Sequence, residues 1–555
     1  MAAKQASEKD GKAYPVMSRD QIEGMIADGK KIIIVDQYVL KVDPFLSYHP
    51  GGDKAILHMV GRDATDEVTV LHSPEAREQM KRYRIGTVEG RFKSFIPPIQ
   101  GGKFRALTDI DVQGEDTDSA QELDSSTSSS SRAPSPVFDT QKDDLRQRKG
   151  GAKPTTEEAK PVDGMTFLDS LTREEISLDL DKYPSLDEET QDNIISKYRE
   201  LHQRIKDEGL YQCSYWKYGI ESISYVSLFV LMLVCIRYGW YITGALSLGF
   251  MWHQLVFTAH DAGHMGITHN FHVDTVIGII IADFIGGLSM GWWKRSHNIH
   301  HIVTNSPEHD PDIEHLPFFA ISHRFLSNLT STYYDRLMKY DVFAKTLLKV
   351  QAWTYFPILA LARFNLTFLS WDYLIAGRGP RKGPAAWHRW LELSGQVFFW
   401  TWYGYGVIYK SLPDNWTRFG FFMVSQIAAS PLHVQIVLSH FAMSTADLGP
   451  GESFPQKMLR TTMDVDCPEW LDFIHGGLQF QVIHHLYPRV PRHNLRRTQK
   501  LVMEFCKEVG IPYALYGFVD GNKQVIGTLA EVSRQAAIFA KCHETITQTD
   551  GFHMH

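Results

Sequence analysis

Four uncharged stretches, residues 222–236, 238–259, 393–409 and 419–446, constrain this 555-residue chain more than any other feature. About 20 apolar residues of helix cross a bilayer, with tolerance from tilt and snorkelling. The first run reaches that length when it is extended back to Tyr218, which leaves Glu221 at the interface. The expectation is four transmembrane helices in two hairpins, at about residues 218–237, 238–259, 393–411 and 419–440. The hairpins turn around Arg237 and around Pro413-Asp414-Asn415. Two further apolar stretches, 275–293 and 350–371, hold Asp283 in the one and Arg363 with Asn365 in the other. A charge at mid-membrane is costly, so both read as interfacial or re-entrant helices.

Histidine clusters sit just outside the span ends. They are His260-Asp-Ala-Gly-His264, His297-Asn-Ile-His300-His301 and Gln481-Val-Ile-His484-His485. Positions i, i+3 and i+4 share one helical face, so each cluster aims two or three imidazoles at one point. With 25 His in the chain, an HxxxH pair arises by chance roughly once, but an HxxHH triplet and a near-copy do not. Seven convergent imidazoles exceed the four ligands of a structural zinc site, and imidazole suits iron, zinc, copper and nickel. Two metal ions are the economical reading. If either charged apolar stretch crossed the membrane alone, the clusters would fall on opposite faces and could not meet. His309-Asp310-Pro311-Asp312 supplies carboxylates able to orient ligand imidazoles, as does Asp261. Trp292 and Trp293 read as interfacial anchors.

Residues 1–12 are polar and show no cleavable leader, which keeps the N-terminus in the cytosol. Lys294, Arg295, Arg381, Lys382 and Arg389 lie in segments assigned to the same side. The five cysteines are scattered without CxxC spacing, so neither a disulfide framework nor a thiolate metal site is indicated. With a net charge of −7, no nucleic-acid partner is expected.

Residues 14–92 read as a separate α+β domain. Ser18 caps a helix through Gln21-Ile-Glu-Gly-Met, and residues 31–42 are β-branched strand material. His49-Pro50-Gly51-Gly52 follows, then Gly61-Arg-Asp-Ala-Thr-Asp66 and Val70-Leu71-His72. The Pro-Gly-Gly turn lets backbone pass close to a flat cofactor, and two His can bind an iron from opposite faces; iron filled at both axial positions shuttles electrons. This domain resembles the cytochrome b5 family. The resemblance implies haem b on His49 and His72, with His58 the rival for the second ligand. Residues 93–165, Ser-rich at 125–131 and carrying Ser135-Pro136, read as a flexible linker that tethers the domain near the membrane site. A charged helix then follows at 186–210, within a mostly helical membrane domain spanning 166–540.

Over nearly the whole chain the three boxes, their spacing and the glutamine that opens the third resemble the cytochrome b5-fusion, or front-end, membrane desaturases. That family implies a non-haem diiron site ligated by His260, His264, His297, His300, His301, His484 and His485, with His440 a further ligand. Gln481 stands where other desaturases have histidine. It also implies O2-dependent desaturation of a membrane lipid, with electrons from NADH through a cytochrome b5 reductase, in the endoplasmic reticulum membrane with the boxes facing the cytosol. Within the group, residues 49–68 and the stretch from His475 to Asn494 resemble the fungal sphingolipid Δ8-desaturases. The implied substrate is the long-chain base of a ceramide. Front-end Δ5/Δ6 acyl desaturation and lipid hydroxylation are the alternatives.

Overall fold

The computed structural model describes residues 7–9, 12–106 and 164–552. Helix α1 (Arg19–Ala27) begins where Ser18 accepts from the Gln21 backbone and Gln21 reaches back to the Ser18 N–H, a reciprocal cap. Strands β1 (Ile32–Val35) and β2 (Tyr38–Lys41) pair antiparallel through Asp36 and Gln37, both at positive φ, as a tight two-residue hairpin demands. Strand β3 (Arg84–Thr87) completes the sheet on β2. Three short helices, α2 (Asp53–Leu57), α3 (Thr65–Leu71) and α4 (Pro74–Met80), form the other wall.

Residues 93–106, expected as the start of a linker, pack on this domain instead. Phe92 and Phe95 are buried in the same core as Ile22, Ile32 and Val60, with Phe104 packed against it, and the Arg105 guanidinium pairs with Glu23. Apolar side chains spaced through this polar stretch hold it down to residue 106. The Ser-rich tract and Ser135-Pro136 lie outside the described residues.

Beyond it the chain is helical. Helices α5 (Gly164–Lys182) and α6 (Glu188–Asp207) precede α7 (Tyr215–Arg237) and α8 (Tyr241–Gly263), which pack as a hairpin. At 1.5 Å per residue the 23 residues of α7 measure about 34 Å, enough for a hydrocarbon layer of about 30 Å. Its apolar side chains face outward: Ile223 is 66% exposed and Val226 62%. Among the described residues two helices are long and apolar enough to cross a membrane, α7 and the rod formed by α14 (Asn415–Ala428) with α15 (Pro431–Phe441). The other two expected spans are helical but more polar. Helix α8 carries His253, Gln254 and Thr258, and α13 (His388–Phe399, continued as a π-helix to Lys410) carries Glu392 and Gln396.

The charged apolar stretches are bent. A helix at Phe271–Ile285, opening with α9 (Phe271–Ile279), meets α10 (Met290–Val303) at 119°, and residues 342–376 bend by 65° between α11 (Gln351–Ala360) and α12 (Ala362–Ala376). Asp283 and Arg363, together with Glu392 from α13, hold the first bend. Glu392 accepts from Ser289 Oγ (2.5 Å) and Gly291 N (2.9 Å), and Asp283 from Met290 N (3.2 Å) and Gln396 (3.0 Å). These carboxylates occupy the positive end of α10. Arg363 donates to the Gly286 carbonyl and to Gln426 (2.8 Å) and lies over Trp252.

A more polar half packs over this base. Helix α16 (Phe454–Thr461), helix α17 (Gln481–Leu486) and helix α18 (Leu495–Val509) share a core with α6, through Tyr198, Leu201, Ile483 and Phe505. Strand β4 (Asp464–Asp466) pairs parallel with β5 (Leu515–Gly517), which leads into α19 (Phe518–Phe552).

Candidate metal centre

Four elements deliver the imidazoles. The end of α8 presents His260 and His264, α10 presents His297, His300 and His301, the end of α15 presents His440, and α17 presents His484 and His485. Their rings interlock, with centroids 4.4 Å apart for His260/His484, 4.5 Å for His300/His440 and 4.3 Å for His301/His485. They sort into two groups. One nitrogen from each of His260, His264, His297 and His484 lies within 4.8 Å of the others, and so do those of His300, His440 and His485. His301 stands between the groups, 4.8 Å from His264 and 4.3 Å from His485 by ring centroids. Gln481 is buried at the first position of α17, one turn before His484.

The donors suit a metal. Ring nitrogens of His264, His301, His440, His484 and His485 are buried without a hydrogen-bond partner, and a buried polar atom left so is costly unless something binds it. Burial pushes His264, His484 and His485 well below the usual histidine range, which leaves them neutral, the form that ligates.

A supporting layer fixes the rings. Asp310 Oδ2 accepts from His300 Nδ1 (2.8 Å) and from Asn305 N (2.7 Å), and Asp312 lies 3.5 Å from His297 Nδ1. Asn305, at φ 58°, donates to the His440 carbonyl (2.9 Å). Thr304 Oγ1 donates to the His300 carbonyl (2.6 Å) and sits 3.3 Å from His485 Nδ1. Asp464 accepts from Val482 N (2.8 Å), Gln499 and Tyr513, fixing the start of α17. Asp261 binds Arg492 (2.6 Å) and Tyr218 through one oxygen and places the other 4.0 Å from His260 Nδ1, while Arg492 also pairs with Glu221. Trp293, expected as an interfacial anchor, stacks on His297 at 4.5 Å and edges His260 at 5.3 Å. Gly263 admits it, because a Cβ there would sit 2.1 Å from the indole.

In the N-terminal domain His49 and His72 face each other with centroids 6.0 Å apart. Two imidazoles on opposite sides of one metal, at bonds of about 2.0–2.1 Å such as zinc makes, require a separation of that order. Each Nδ1 is committed to a carbonyl, His49 to Gly52 (2.7 Å) and His72 to Val68 (3.2 Å), so each Nε2 holds the free lone pair. Burial pushes His72 down to about 3. His58 is elsewhere: it bonds Gln100 (3.0 Å) and lies 5.3 Å from the His309 ring.

Comparison with known proteins fits this geometry. The fatty acid desaturase family model matches residues 238–517, and the cytochrome b5-like heme/steroid binding domain model matches residues 18–89. The Delta 8-(E)-sphingolipid desaturase of Emericella nidulans is 58% identical over 97% of this chain and 98% of its own length. The protein of the same name from Komagataella phaffii is 47% identical over 96% of each. Delta(8)-fatty-acid desaturase 2 of Arabidopsis thaliana is 34% identical over 62% of this chain and 76% of its own.

Proposed function

The chain belongs to the fatty acid desaturase family, with a cytochrome b5-like domain fused to its N-terminal side, and from that premise we propose that it introduces the 8,9 double bond into the sphingoid long-chain base of a ceramide. The observation that carries this substrate is the 58% identity to a Delta 8-(E)-sphingolipid desaturase across essentially both chains. The reaction removes two hydrogens from adjacent methylenes and, with O2, two electrons and two protons, yields the alkene and two waters.

In this reading His260, His264, His297 and His484 hold one iron, His300, His440 and His485 the other, and His301 stands between them. His49 and His72 hold haem b. When bound, the irons supply O2-dependent oxidising power and the haem supplies electrons one at a time. The chain's residues do the rest. Asp310 and Asp312 orient α10's imidazoles and strengthen them as ligands. Trp293 covers His297 and His260 and keeps water from that side. The electrons come from NADH through a separate cytochrome b5 reductase, since the chain has no GxGxxG dinucleotide fold of its own. The helices at 218–237, 238–259, 393–411 and 419–440 cross the endoplasmic reticulum membrane in two hairpins, with the boxes on the cytosolic face.

Expression in a host that lacks sphingoid-base desaturation tests the reading. A new 8,9-unsaturated base with unchanged fatty acids is the expected product. New Δ5 or Δ6 fatty acids beside saturated bases would overturn the substrate, and a product heavier by one oxygen would make the enzyme a hydroxylase.

A further inference from the structure

We propose that the N-terminal domain works docked, and that electrons enter the metal site across a seam made by Arg295, Asn298 and Arg489. This rests on the ligand assignments proposed above and adds the route between them.

Helix α10 has two working faces. One carries His297, His300 and His301. On the other, Ile299, Ile302 and Val303 are buried in one cluster with Ala55, Met59, Ala64 and Val68 of the N-terminal domain. The His49 turn lies against this helix: a Cβ at Gly51 would stand 2.9 Å from Asn298 Nδ2, and one at Gly52 3.4 Å from Arg295 Cγ. Arg295 donates to Asp53 at 3.0 Å. The His72 side is tied to a different box. Arg489, four residues beyond His485, donates to the His72 carbonyl at 2.9 Å. Each proposed haem ligand is therefore linked, by one contact and a few covalent bonds, to a segment carrying proposed iron ligands. Electron transfer weakens steeply across empty gaps, so bonded contacts of this kind make a direct route.

Other contacts argue against a shuttle that leaves and returns. Lys54, 8% exposed, donates to the carbonyls of Thr332 (2.5 Å) and Tyr333 (2.8 Å) and to Asp335 (2.6 Å), at the turn of a small hairpin (Leu329–Ser331 and Arg336–Met338). Val70 is buried in the α6–α17–α18 core, and Asp66 pairs with Arg199 at 2.8 Å. Undocking would strip a buried ammonium of three acceptors and expose Ile299, Ile302, Val303, Val68 and Val70 in every cycle. In the docked state each transfer oxidises ferrous haem to ferric and reduces the metal site by one electron. Two transfers accompany each O2 reduced and each double bond formed.

The test uses the full-length protein purified in detergent with haem and iron bound. Two quantities are read for Arg295→Glu, Arg489→Gln and Arg295→Glu/Asp53→Arg: the rate of haem re-oxidation on mixing reduced enzyme with O2 and substrate, and hydrogen exchange at residues 49–57. With haem spectrum and iron content unchanged, each single variant should slow re-oxidation by about tenfold or more and loosen exchange, and the swapped pair should recover most of both. Where Arg295→Glu lowers iron content, Lys54→Gln carries the same test through a side chain that bonds only the 332–335 turn and touches no proposed iron ligand. Variants with full haem and iron that re-oxidise at the wild-type rate overturn the seam, whether or not exchange loosens. Unmutated protein lacking a bis-histidine haem spectrum or bound iron overturns the ligand assignment beneath it as well.

Discussion

Asp310 is fully buried, and the groups around it explain why a carboxylate is stable there. It accepts from His300 Nδ1, from Asn305 N and from Asp312 N, so its charge is met by three donors while it fixes the ring of a proposed ligand. A group that orients a metal-bound imidazole in this way affects affinity or activity by about 10–100-fold. Asp310→Ala should lower bound iron and activity by that much, and Asp310→Asn by less, because the amide oxygen can still accept; iron per chain by elemental analysis separates the two. Gln481→His places a better ligand one turn before His484, and changed activity with retained iron is the expected result. At this scale the sequence was informative where partners are close in the chain. Asp310 and Asp312 lie within 15 residues of α10's histidines, and their orienting role is legible from that spacing. The roles of Asp464, Asn305 and Arg492 are not, because each acts on groups distant in sequence: Asp464 on Val482, Asn305 on His440, Arg492 on Asp261 and Glu221.

Apolar length located the helices, and polar detail decided how they run. The runs at 222–236 and 419–446 became α7 and the α14–α15 rod, the helices apolar enough to cross a bilayer. Asp283 and Arg363 marked the stretches that bend, yet their partners, Met290 N, Gln396, Gly286 and Gln426, could not be read from a linear sequence. Close helix crossing is similarly hidden. At Gly249 in α8 a Cβ would stand 2.5 Å from Ala428 Cβ and 2.7 Å from the Ser425 carbonyl of α14, the small-residue contact that lets membrane helices approach. Gly249→Val should force α14 outward at a cost of about 1–3 kcal/mol or more. Because α14 continues into α15 and His440, both the unfolding temperature in detergent and bound iron should fall. Gly420→Ala in the same helix, with nothing within 4 Å of the new methyl, should leave both unchanged or raise stability by about 0.5–1 kcal/mol. Equal losses in the two variants would show that α14 tolerates no change, and would remove crossing geometry as the cause.

Taken as a whole, the molecule is an electron carrier fixed against an oxidase-like site. The order of its parts was readable from motifs, whereas their docking was not, since Val70, Lys54 and Asp66 look like ordinary residues of a small domain until α6 and the 332–335 turn are packed against them. That packing gives the haem domain a local concentration that a free carrier cannot match. His49→Ala removes one axial nitrogen but leaves Asp53, Lys54, Val70 and the rest of the interface in place, so the disabled domain still occupies α10. Added soluble cytochrome b5 therefore meets a blocked surface. The low-spin haem spectrum should be lost and turnover should fall sharply, with iron content retained and little recovery on adding saturating carrier and reductase. Pairing His49→Ala with Lys54→Gln and Arg295→Glu should loosen the disabled domain and restore part of the response to added carrier. Full rescue of His49→Ala alone would mean that the surface is open in the working enzyme, and that the fused domain serves only to raise the concentration of a replaceable donor.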